Sequence, residues 1–279
     1  RSQRRGAVDR PSPERGQELT ASAPPLSPSI GCSHCAGKGI YFDPEVTAGR
    51  YGCLKLCSCI LGQCKCGGQR PYQFWDEDSR RQPCPCGIFR RRLASLEAAF
   101  TRADIPARYR WKFQDDFLLQ TPDGTAVPTA QEVKGYVSTL VDGDREPQRG
   151  FLLHGPPGRG KTLVACIMLN ELILHRARPG RFLSLSRKYF QQLRDTFSEE
   201  SATYGQTWRI IDELCNLPYL VLDDLGIQRG TEWEMEVLYQ LIDARYGEER
   251  FTVVTTNQPL EEIRQMSDGR IYSRLSEMC

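Results

Sequence analysis

Residues 155–162, GPPGRGKT, have the residue types and spacing of a phosphate-binding loop. Glycines let backbone N–H groups curl around phosphates, Lys161 can reach the β and γ phosphates, and the Thr162 hydroxyl can bind Mg²⁺. An ordinary Gly/Pro turn is the alternative, but an apolar strand pattern precedes the loop and a helical pattern follows it. The predicted ATP-binding residues are Gly155, Pro156, Pro157, Gly158, Arg159, Gly160, Lys161, Thr162, Leu163 and Asp223.

Two adjacent carboxylates, Asp223 and Asp224, end the apolar run YLVL 62 residues after Lys161. At the end of a buried strand beside a phosphate loop, the first carboxylate can hold Mg²⁺ and the second can polarise an attacking water. A solvated strand end is the alternative. Ligands of parallel α/β sheets bind at the carboxyl edge of the strands, which favours the functional interpretation.

Three polar residues further along the chain are candidates for the same reaction. Asn257 ends the run FTVVTTN and could orient the lytic water or contact the γ-phosphate, although a strand-ending Asn often only turns the chain. Arg274 and, less favoured, Arg270 could reach the phosphate of a neighbouring subunit and stabilise transition-state charge. Surface arginines on a helix are the alternative for both.

Nine of the twelve cysteines lie between Cys32 and Cys86, in close pairs. Such clustering indicates zinc or disulfides. An ATP site predicts the reducing cytoplasm, where disulfides are rare, so zinc is favoured, with an iron–sulfur cluster as a further alternative. Because tetrahedral zinc needs four ligands, two sites are predicted, with Cys53 and His34 as spare ligands: Cys32/Cys35/Cys57/Cys59 and Cys64/Cys66/Cys84/Cys86.

The elements that must position these residues alternate between strand and helix after residue 150. Short apolar strands separated by helices predict a parallel sheet covered by helices on both faces. The predicted strands are 151–154, 182–186, 219–224 and 251–257. The predicted helices are 88–100, 129–141, 161–175, 187–197, 207–215 and 232–246, with Phe190, Leu193 and Phe197 expected in the core.

Composition divides the rest of the chain. Residues 1–30 are rich in Pro, Ser and Arg and predict a disordered tail. Residues 31–87 form the predicted zinc module, 88–127 a helix and connector, and 128–279 the ATPase core. The net charge of +2 excludes a polycation. The chain contains no run of 18 apolar residues, so no membrane span is predicted. No secretory signal is visible either, and a cytoplasmic protein without a membrane partner is therefore expected.

Together these motifs resemble the DnaC/IstB family of AAA+ ATPases, which comprises helicase loaders and the ATP-binding helpers of transposases. The resemblance covers about residues 103–279. It rests on GPPGRGKT and on five further stretches: ADIPARYRWKFQDDF (103–117), YLVLDDLG (219–226), EVLYQLIDARY (236–246), VVTTN (253–257) and RIYSRL (270–275).

The resemblance implies an AAA+ fold and a role for each motif residue. Lys161 and Thr162 bind phosphate and Mg²⁺, Asp223 serves Mg²⁺, and Asp224 takes the position of the catalytic acid. Asn257 is then the sensor and Arg274 the finger acting on another subunit. AAA+ enzymes usually have Glu at the position of Asp224, so slow hydrolysis is expected.

The resemblance also bears on the sheet and the cysteines. An AAA+ sheet has a fifth strand after the Arg274 segment and none is visible here, so either the C-terminal tail of the family is missing from this sequence or the fold closes differently. Family members often carry one Cys-x-x-Cys and one later Cys-x-Cys, which would instead pair Cys32/Cys35 with Cys84/Cys86.

Single-stranded DNA is the implied nucleic-acid partner. Between residues 175 and 194 there are six Lys/Arg and no acid, and in AAA+ initiators this region faces DNA. Arg187, Lys188 and Arg194 are the candidate phosphate contacts. Tyr189 or Phe190 could stack on bases, although a place in the core is the favoured interpretation for Phe190.

The favoured function is an ATPase that assembles with ATP, binds single-stranded DNA and serves a replicative helicase or a transposase. Two alternatives remain: a zinc-containing adaptor in which ATP is a structural switch, and a small-molecule kinase with a phosphate loop. The predicted cofactors are ATP, Mg²⁺ and Zn²⁺.

Overall fold

The structure is a computed structural model that describes residues 32–35, 37–43, 53–120, 123–142, 145–226 and 231–279, without the side chains of Cys53, Ser186 and Arg187. The predicted disordered tail, residues 1–30, lies outside the described residues. So does Cys53 as a spare zinc ligand.

The N-terminal part consists of two small hairpins and a short helix. The strands of each hairpin pair antiparallel and contain three or four residues. Strands this short are not stable alone and need packing or cross-links from elsewhere. In chain order the elements are β1 (Ile40–Asp43), β2 (Cys53–Leu56), α1 (Ser58–Leu61), β3 (Gln73–Trp75) and β4 (Arg81–Pro83).

A long helix, α2 (Cys86–Arg102), joins this part to the rest of the chain and extends the predicted helix by two residues at each end. Its apolar face buries Phe89, Leu96 and Phe100. These side chains belong to one hydrophobic cluster that continues from the hairpins into the α/β core. The cysteine module therefore packs on the α/β core through shared apolar side chains.

The remaining chain alternates strands and helices as predicted. The elements are α3 (Pro128–Asp142), β5 (Phe151–His154), α4 (Lys161–Arg176), β6 (Gly180–Ser184), α5 (Phe190–Asp195), α6 (Thr207–Asn216), β7 (Tyr219–Leu225), α7 (Glu232–Gly247), β8 (Phe251–Thr256), α8 (Leu260–Gln265) and α9 (Arg270–Met278). Short 3-10 helices cover Gln114–Asp116 and Met266–Gly269, and a π-helical turn covers Leu185–Tyr189.

Four strands form the main sheet in the order β5-β8-β7-β6, all parallel. Alternate residues of β7 point into different layers: Tyr219 and Val221 join the cluster on one face, and Leu220 and Leu222 the cluster on the other. Burial on both faces explains the continuous apolar run in this strand. The predicted α/β class is confirmed. No helix in the described part of the chain is long and apolar enough to span a bilayer.

One predicted helix is wrong in part. The strand predicted at 182–186 lies at Gly180–Ser184, and the helix predicted at 187–197 is a π turn followed by α5, which ends at Asp195. Phe190 and Leu193 are buried as predicted, but Phe197 lies beyond the helix and is 62% exposed. The Thr196 hydroxyl donates to the carbonyl of Leu193, a side-chain bond that competes with continuation of the helix, and α5 ends two residues before the predicted end.

Candidate nucleotide and metal sites

The glycine loop connects β5 to the first residue of α4. Gly158 and Gly160 have φ values of +79° and +80°, which residues with a Cβ adopt only at a cost. Gly160 is also the N-cap of α4. The loop glycines are therefore required by the backbone path that leads into the N-terminus of α4, a place where backbone N–H groups can bind an anion.

The Lys161 side chain lies back over the loop. Its Nζ donates to the carbonyl of Gly155 at 2.8 Å and to that of Pro156 at 2.9 Å. These contacts hold the ammonium at the mouth of the loop, within reach of phosphates seated on it.

Thr162 and Asp223 meet at the carboxyl edge of the sheet. The Thr162 hydroxyl donates to Oδ1 of Asp223 at 2.9 Å, and the Thr255 hydroxyl donates to the same oxygen at 2.7 Å. Asp223 is only 6% exposed. Burial raises the pKa of Asp223, while the two hydroxyl donors oppose that shift. Hard oxygen ligands of this kind suit Mg²⁺, and a cation would favour the charged carboxylate.

Asp224 is displaced from regular strand geometry. The register of β7 against β8 slips between Leu222 and Leu225, and Asp224 has φ +65°. This left-handed conformation at a bulge is tolerated better by Asp than by most residues. Asn257 Nδ2 lies 3.4 Å from Asp224 Oδ1. The bulge thus lets two consecutive acids both serve the same sheet edge, one towards Thr162 and one towards Asn257.

Thr255 is a site residue that the sequence analysis missed. Besides donating to Asp223, its oxygen accepts from the backbone N–H of Asp224 at 3.0 Å, and the residue is 1% exposed. A buried hydroxyl needs a partner. The threonine pair that ends this strand, whose two preceding residues are valines, was the available signal.

Two further missed residues lie on α4. Asn170 and Glu171 are buried within the apolar run ACIMLNELIL. Asn170 Nδ2 donates to the carbonyls of Tyr109 and Lys112, both at 2.8 Å, and Glu171 accepts from the N–H of Gln114. The helix that starts at the phosphate loop therefore anchors the connector of residues 103–117.

The candidate finger arginines lie on α9 and turn towards α7. Arg274 Nε donates to Asp243 at 2.7 Å, and its guanidinium lies 4.7 Å from the ring centroid of Tyr246. Arg270 lies 3.5 Å from Glu236. The described contacts of Arg274 lead to α7 and not to the glycine loop of its own chain.

The first cysteine group contains Cys32, Cys35, Cys57 and Cys59, with all sulfurs within 4.8 Å of one another. This is the grouping predicted from spacing, and not the alternative that pairs Cys32/Cys35 with Cys84/Cys86. The Sγ atoms of Cys32 and Cys57 are 3.5 Å apart, and those of Cys35 and Cys59 are 3.7 Å apart. Backbone N–H groups of the knuckle lower the pKa of Cys32 to about 7. The spare candidate His34 instead packs its ring against Tyr41 at 4.2 Å.

The second group contains Cys64, Cys66, Cys84 and Cys86, with all sulfurs within 4.8 Å of one another. The Sγ atoms of Cys64, Cys66 and Cys86 are 3.4 to 3.6 Å apart. Burial raises the pKa of Cys86 to about 12, and a hydrogen bond with Arg90 opposes this shift. The arginine places a positive charge beside thiols that a metal would bind as thiolates.

Both groups fit a tetrahedral ion. A Zn–S bond of about 2.3 Å makes the edges of such a tetrahedron about 3.8 Å, close to the observed sulfur distances. Every cysteine whose side chain is described is a free thiol. The three such cysteines outside these groups are isolated from one another in the sequence: Cys166 is buried, and Cys215 and Cys279 are partly buried.

The candidate DNA contacts are partly engaged within the chain. Lys188 lies 3.9 Å from Asp104, and Arg194 pairs with Glu234 at 2.5 Å; both basic side chains are about half exposed. The side chain of Arg187 lies outside the described residues. Tyr189 and Phe190 are buried, so neither is available to stack on a base.

Comparisons with known proteins match the part of the chain that contains the glycine loop and the main sheet. Residues 145–273 fit the model of the family described as IstB-like ATP binding protein. The replicative helicase loader DnaC of Escherichia coli (strain K12) is 28% identical over 125 residues, which are 45% of this chain and 49% of the relative. The predicted resemblance to the DnaC/IstB-like family is thereby confirmed for this part of the chain.

One solved structure has a similar fold, and one further relative has a similar sequence. A crystal structure of the DnaC helicase loader superposes on this chain with a TM-score of 0.51 at 23% identity, covering 62% of this chain and 96% of that one. The uncharacterized protein YdaV of Escherichia coli (strain K12) is 32% identical over 129 residues, 45% of this chain and 48% of the relative. The chain spans about half the length of these curated relatives, and its cysteine module lies outside the family match.

Proposed function

We propose that the protein is a Mg²⁺-dependent ATPase that loads a replicative helicase onto DNA, with hydrolysis at a site completed by a second copy. The observation that carries the ATPase is the joint placement of the glycine loop, the Thr162–Asp223 pair and the Asp224–Asn257 pair at one sheet edge. Helicase loading is supported by the likeness of the core to proteins named replicative helicase loader DnaC.

Each polar group at this edge has a proposed task. The loop N–H groups and Lys161 bind the phosphates, and Thr162 and Asp223 hold Mg²⁺, which neutralises phosphate charge when bound. A carboxylate oxygen of Asp224 accepts a proton from the attacking water while Asn257 orients that water. Asp is shorter than the usual Glu, so turnover by the protein alone is expected to be slow.

Stabilising the transition-state charge calls for an arginine besides Lys161, and the described contacts of Arg270 and Arg274 lead to α7 and not to their own glycine loop. We assign this task to Arg274 of a neighbouring copy, because an arginine supplied across an interface accelerates phosphoryl transfer about 10³- to 10⁵-fold. ATP bound between copies then controls self-association.

The remaining surfaces are assigned by chemistry. Arg187, Lys188 and Arg194 contact the phosphates of single-stranded DNA, and the two cysteine groups each hold one Zn²⁺. The zinc module would present the surface that docks on the helicase. A transposase in place of the helicase is the second candidate, because the matched family model is IstB-like.

A loading assay tests this function. The protein is mixed with the replicative helicase of its host and circular single-stranded DNA, and helicase that elutes with the DNA is measured with ATP and Mg²⁺. Helicase retention by the wild type but not by Lys161→Ala is expected. Retention that is equal with and without the protein would contradict loading and direct the search to a transposase.

A further inference from the structure

Helix α9 is fixed against α7 by its apolar face. Ile271, Leu275 and Met278 are buried in the cluster that also contains the α7 side chains Leu238 and Ile242. This packing fixes the backbone positions of Arg270 and Arg274, but it does not fix the positions of their guanidinium groups.

The facing side of α7 presents an acid–aromatic stripe, defined as Glu236, Tyr239, Asp243 and Tyr246. Spacings of three and four residues place all four on one face of the helix. The stripe is held from α9 as well, since the Tyr246 hydroxyl donates to Glu277 at 2.5 Å.

Arg274 is engaged by three members of this stripe, because Asp243, Tyr246 and the hydroxyl of Tyr239 all contact its side chain. Its Nε donates to Asp243 Oδ1 at 2.7 Å, its guanidinium lies 4.7 Å from the Tyr246 ring centroid, and a third of the side chain stays exposed. A bond through Nε directs the terminal amino groups away from Asp243, and the ring supports the guanidinium plane by a cation–π contact.

Arg270 is engaged differently. It lies over Tyr239 at 4.4 Å, and its nearest acid is Glu236 at 3.5 Å. Its Nε donates to the carbonyl of Ser267 in the preceding turn, where Ser267 and Asp268 have φ values of +48° and +54°. Arg270 therefore stabilises the turn that starts α9, which makes its partner Glu236 a matched control for Asp243.

We propose that Asp243 and Tyr246 are positioning residues that hold Arg274 extended for the γ-phosphate bound by a neighbouring copy. This inference rests on the proposed ATP site between two copies. An arginine that is already oriented loses less side-chain freedom when it engages the phosphate, so its contribution appears in the transition state. The γ-phosphate then binds the outer edge of the guanidinium while Asp243 retains Nε.

The experiment separates the copy that hydrolyses ATP from the copy that supplies the arginine. The reporter is Arg274→Ala, which keeps its own loop and acids. The donor is Asp224→Asn, which keeps Arg274 but lacks the proton acceptor. ATP turnover is measured for the reporter alone, for the donor alone, and for a mixture with the donor in excess. In that mixture most reporter copies have a donor as neighbour, so the glycine loop of the reporter faces Arg274 of the donor.

Three donor proteins are compared. The first carries Asp224→Asn alone, the second combines Asp224→Asn with Asp243→Ala, and the third combines Asp224→Asn with Glu236→Ala. Turnover is expected to recover with the first and third. With Asp243→Ala, kcat of the recovered activity is expected to fall about tenfold to a hundredfold, as for other misplaced groups, with KM for ATP unchanged. Asp243→Glu is expected to restore part of the loss. If Asp243→Ala does not fold, Asp243→Asn replaces it, with a smaller fall expected.

The outcomes are distinguishable. No recovery with the first donor, in a mixture shown to assemble, overturns the site between copies and this inference with it. Full recovery with the Asp243→Ala donor overturns only the positioning role. Equal losses for Asp243→Ala and Glu236→Ala, or a loss that appears in KM, indicate general damage to α7 and also contradict it.

Discussion

The Thr162 hydroxyl lies 2.9 Å from Oδ1 of Asp223, so the helix after the glycine loop and the end of β7 are joined at the proposed Mg²⁺ site. Thr255 donates to the same oxygen from β8. Three elements thus converge on one carboxylate oxygen before any ligand is considered, and this convergence can be tested residue by residue.

Replacing Thr255 by Val should disturb both acids at once. Asp223 loses a hydroxyl donor and the N–H of Asp224 loses its acceptor. Leaving buried polar groups unpaired costs about 1–3 kcal/mol of unfolding free energy. We expect a lower unfolding midpoint and a higher Mg²⁺ concentration for half-maximal ATP turnover. Thr255→Ser keeps the hydroxyl and should behave as wild type; equal effects of Val and Ser would contradict the role of the hydroxyl.

The raised pKa of Asp223 predicts how stability without Mg²⁺ depends on pH. Burial makes the folded state hold the proton more tightly than the unfolded state does. The stability from this group is therefore present below the unfolded pKa of about 3.9 and is lost as pH rises through the raised folded value. Asp223→Asn should remove that loss and unfold at a higher temperature than wild type at pH 7 in EDTA.

The comparison is made by thermal unfolding between pH 4 and 8, with and without Mg²⁺ and ATP. Asp223→Asn should gain no stability from Mg²⁺-ATP beyond that from ATP alone. A variant less stable than wild type at pH 7 in EDTA would show that Asp223 is favoured in its charged form and would contradict the prediction.

Metal removal should destabilise the whole core and not only the hairpins. The cysteine module and the α/β core share one hydrophobic cluster, and Nζ of Lys38 in the module lies 3.0 Å from Nε2 of His175 on α4. We expect two Zn²⁺ per chain by elemental analysis and a lower midpoint of one cooperative transition after chelation. Cys35→Ser should lose one ion, whereas Cys215→Ser should lose none. Chelation that leaves both the unfolding midpoint and the affinity for nucleotide unchanged would contradict coupling between the cysteine module and the α/β core.

Asn170 should be more important for stability than its place on a helix indicates. Its amide donates to two connector carbonyls, and Asn170→Asp would place a carboxylate against both. We expect a loss of about 2 kcal/mol or more in urea unfolding, because the carbonyls lose their donor and a charge is buried. The exposed Asn216, which bonds to a carbonyl within its own helix, is the control: Asn216→Asp should change stability little.

The strand and helix pattern of the core was predictable because both faces of the sheet are buried and leave continuous apolar runs. The positions of Lys161, Thr162 and Asp223 followed from their motifs, because Lys161 and Thr162 start a helix and Asp223 lies near the end of a strand. The two cysteine groups followed from spacing alone, although sequence left a second pairing open.

Three features depended on contacts between distant segments and could not be read from local pattern. The bulge that turns Asp224 towards Asn257 is visible only in the pairing of β7 with β8. The end of α5 before Phe197 depends on a side-chain bond that competes with the helix. The stripe on α7 that holds Arg274 requires knowing that α9 packs there.

The most direct test of the central claim is ATP turnover per chain measured across protein concentration, with and without single-stranded DNA. A site completed by a second copy predicts turnover that rises with concentration, rises further with DNA, and is lost in Lys161→Ala and in Arg274→Ala. Measurable turnover that is independent of concentration and unaffected by Arg274→Ala would contradict the account and place the whole active site within one chain.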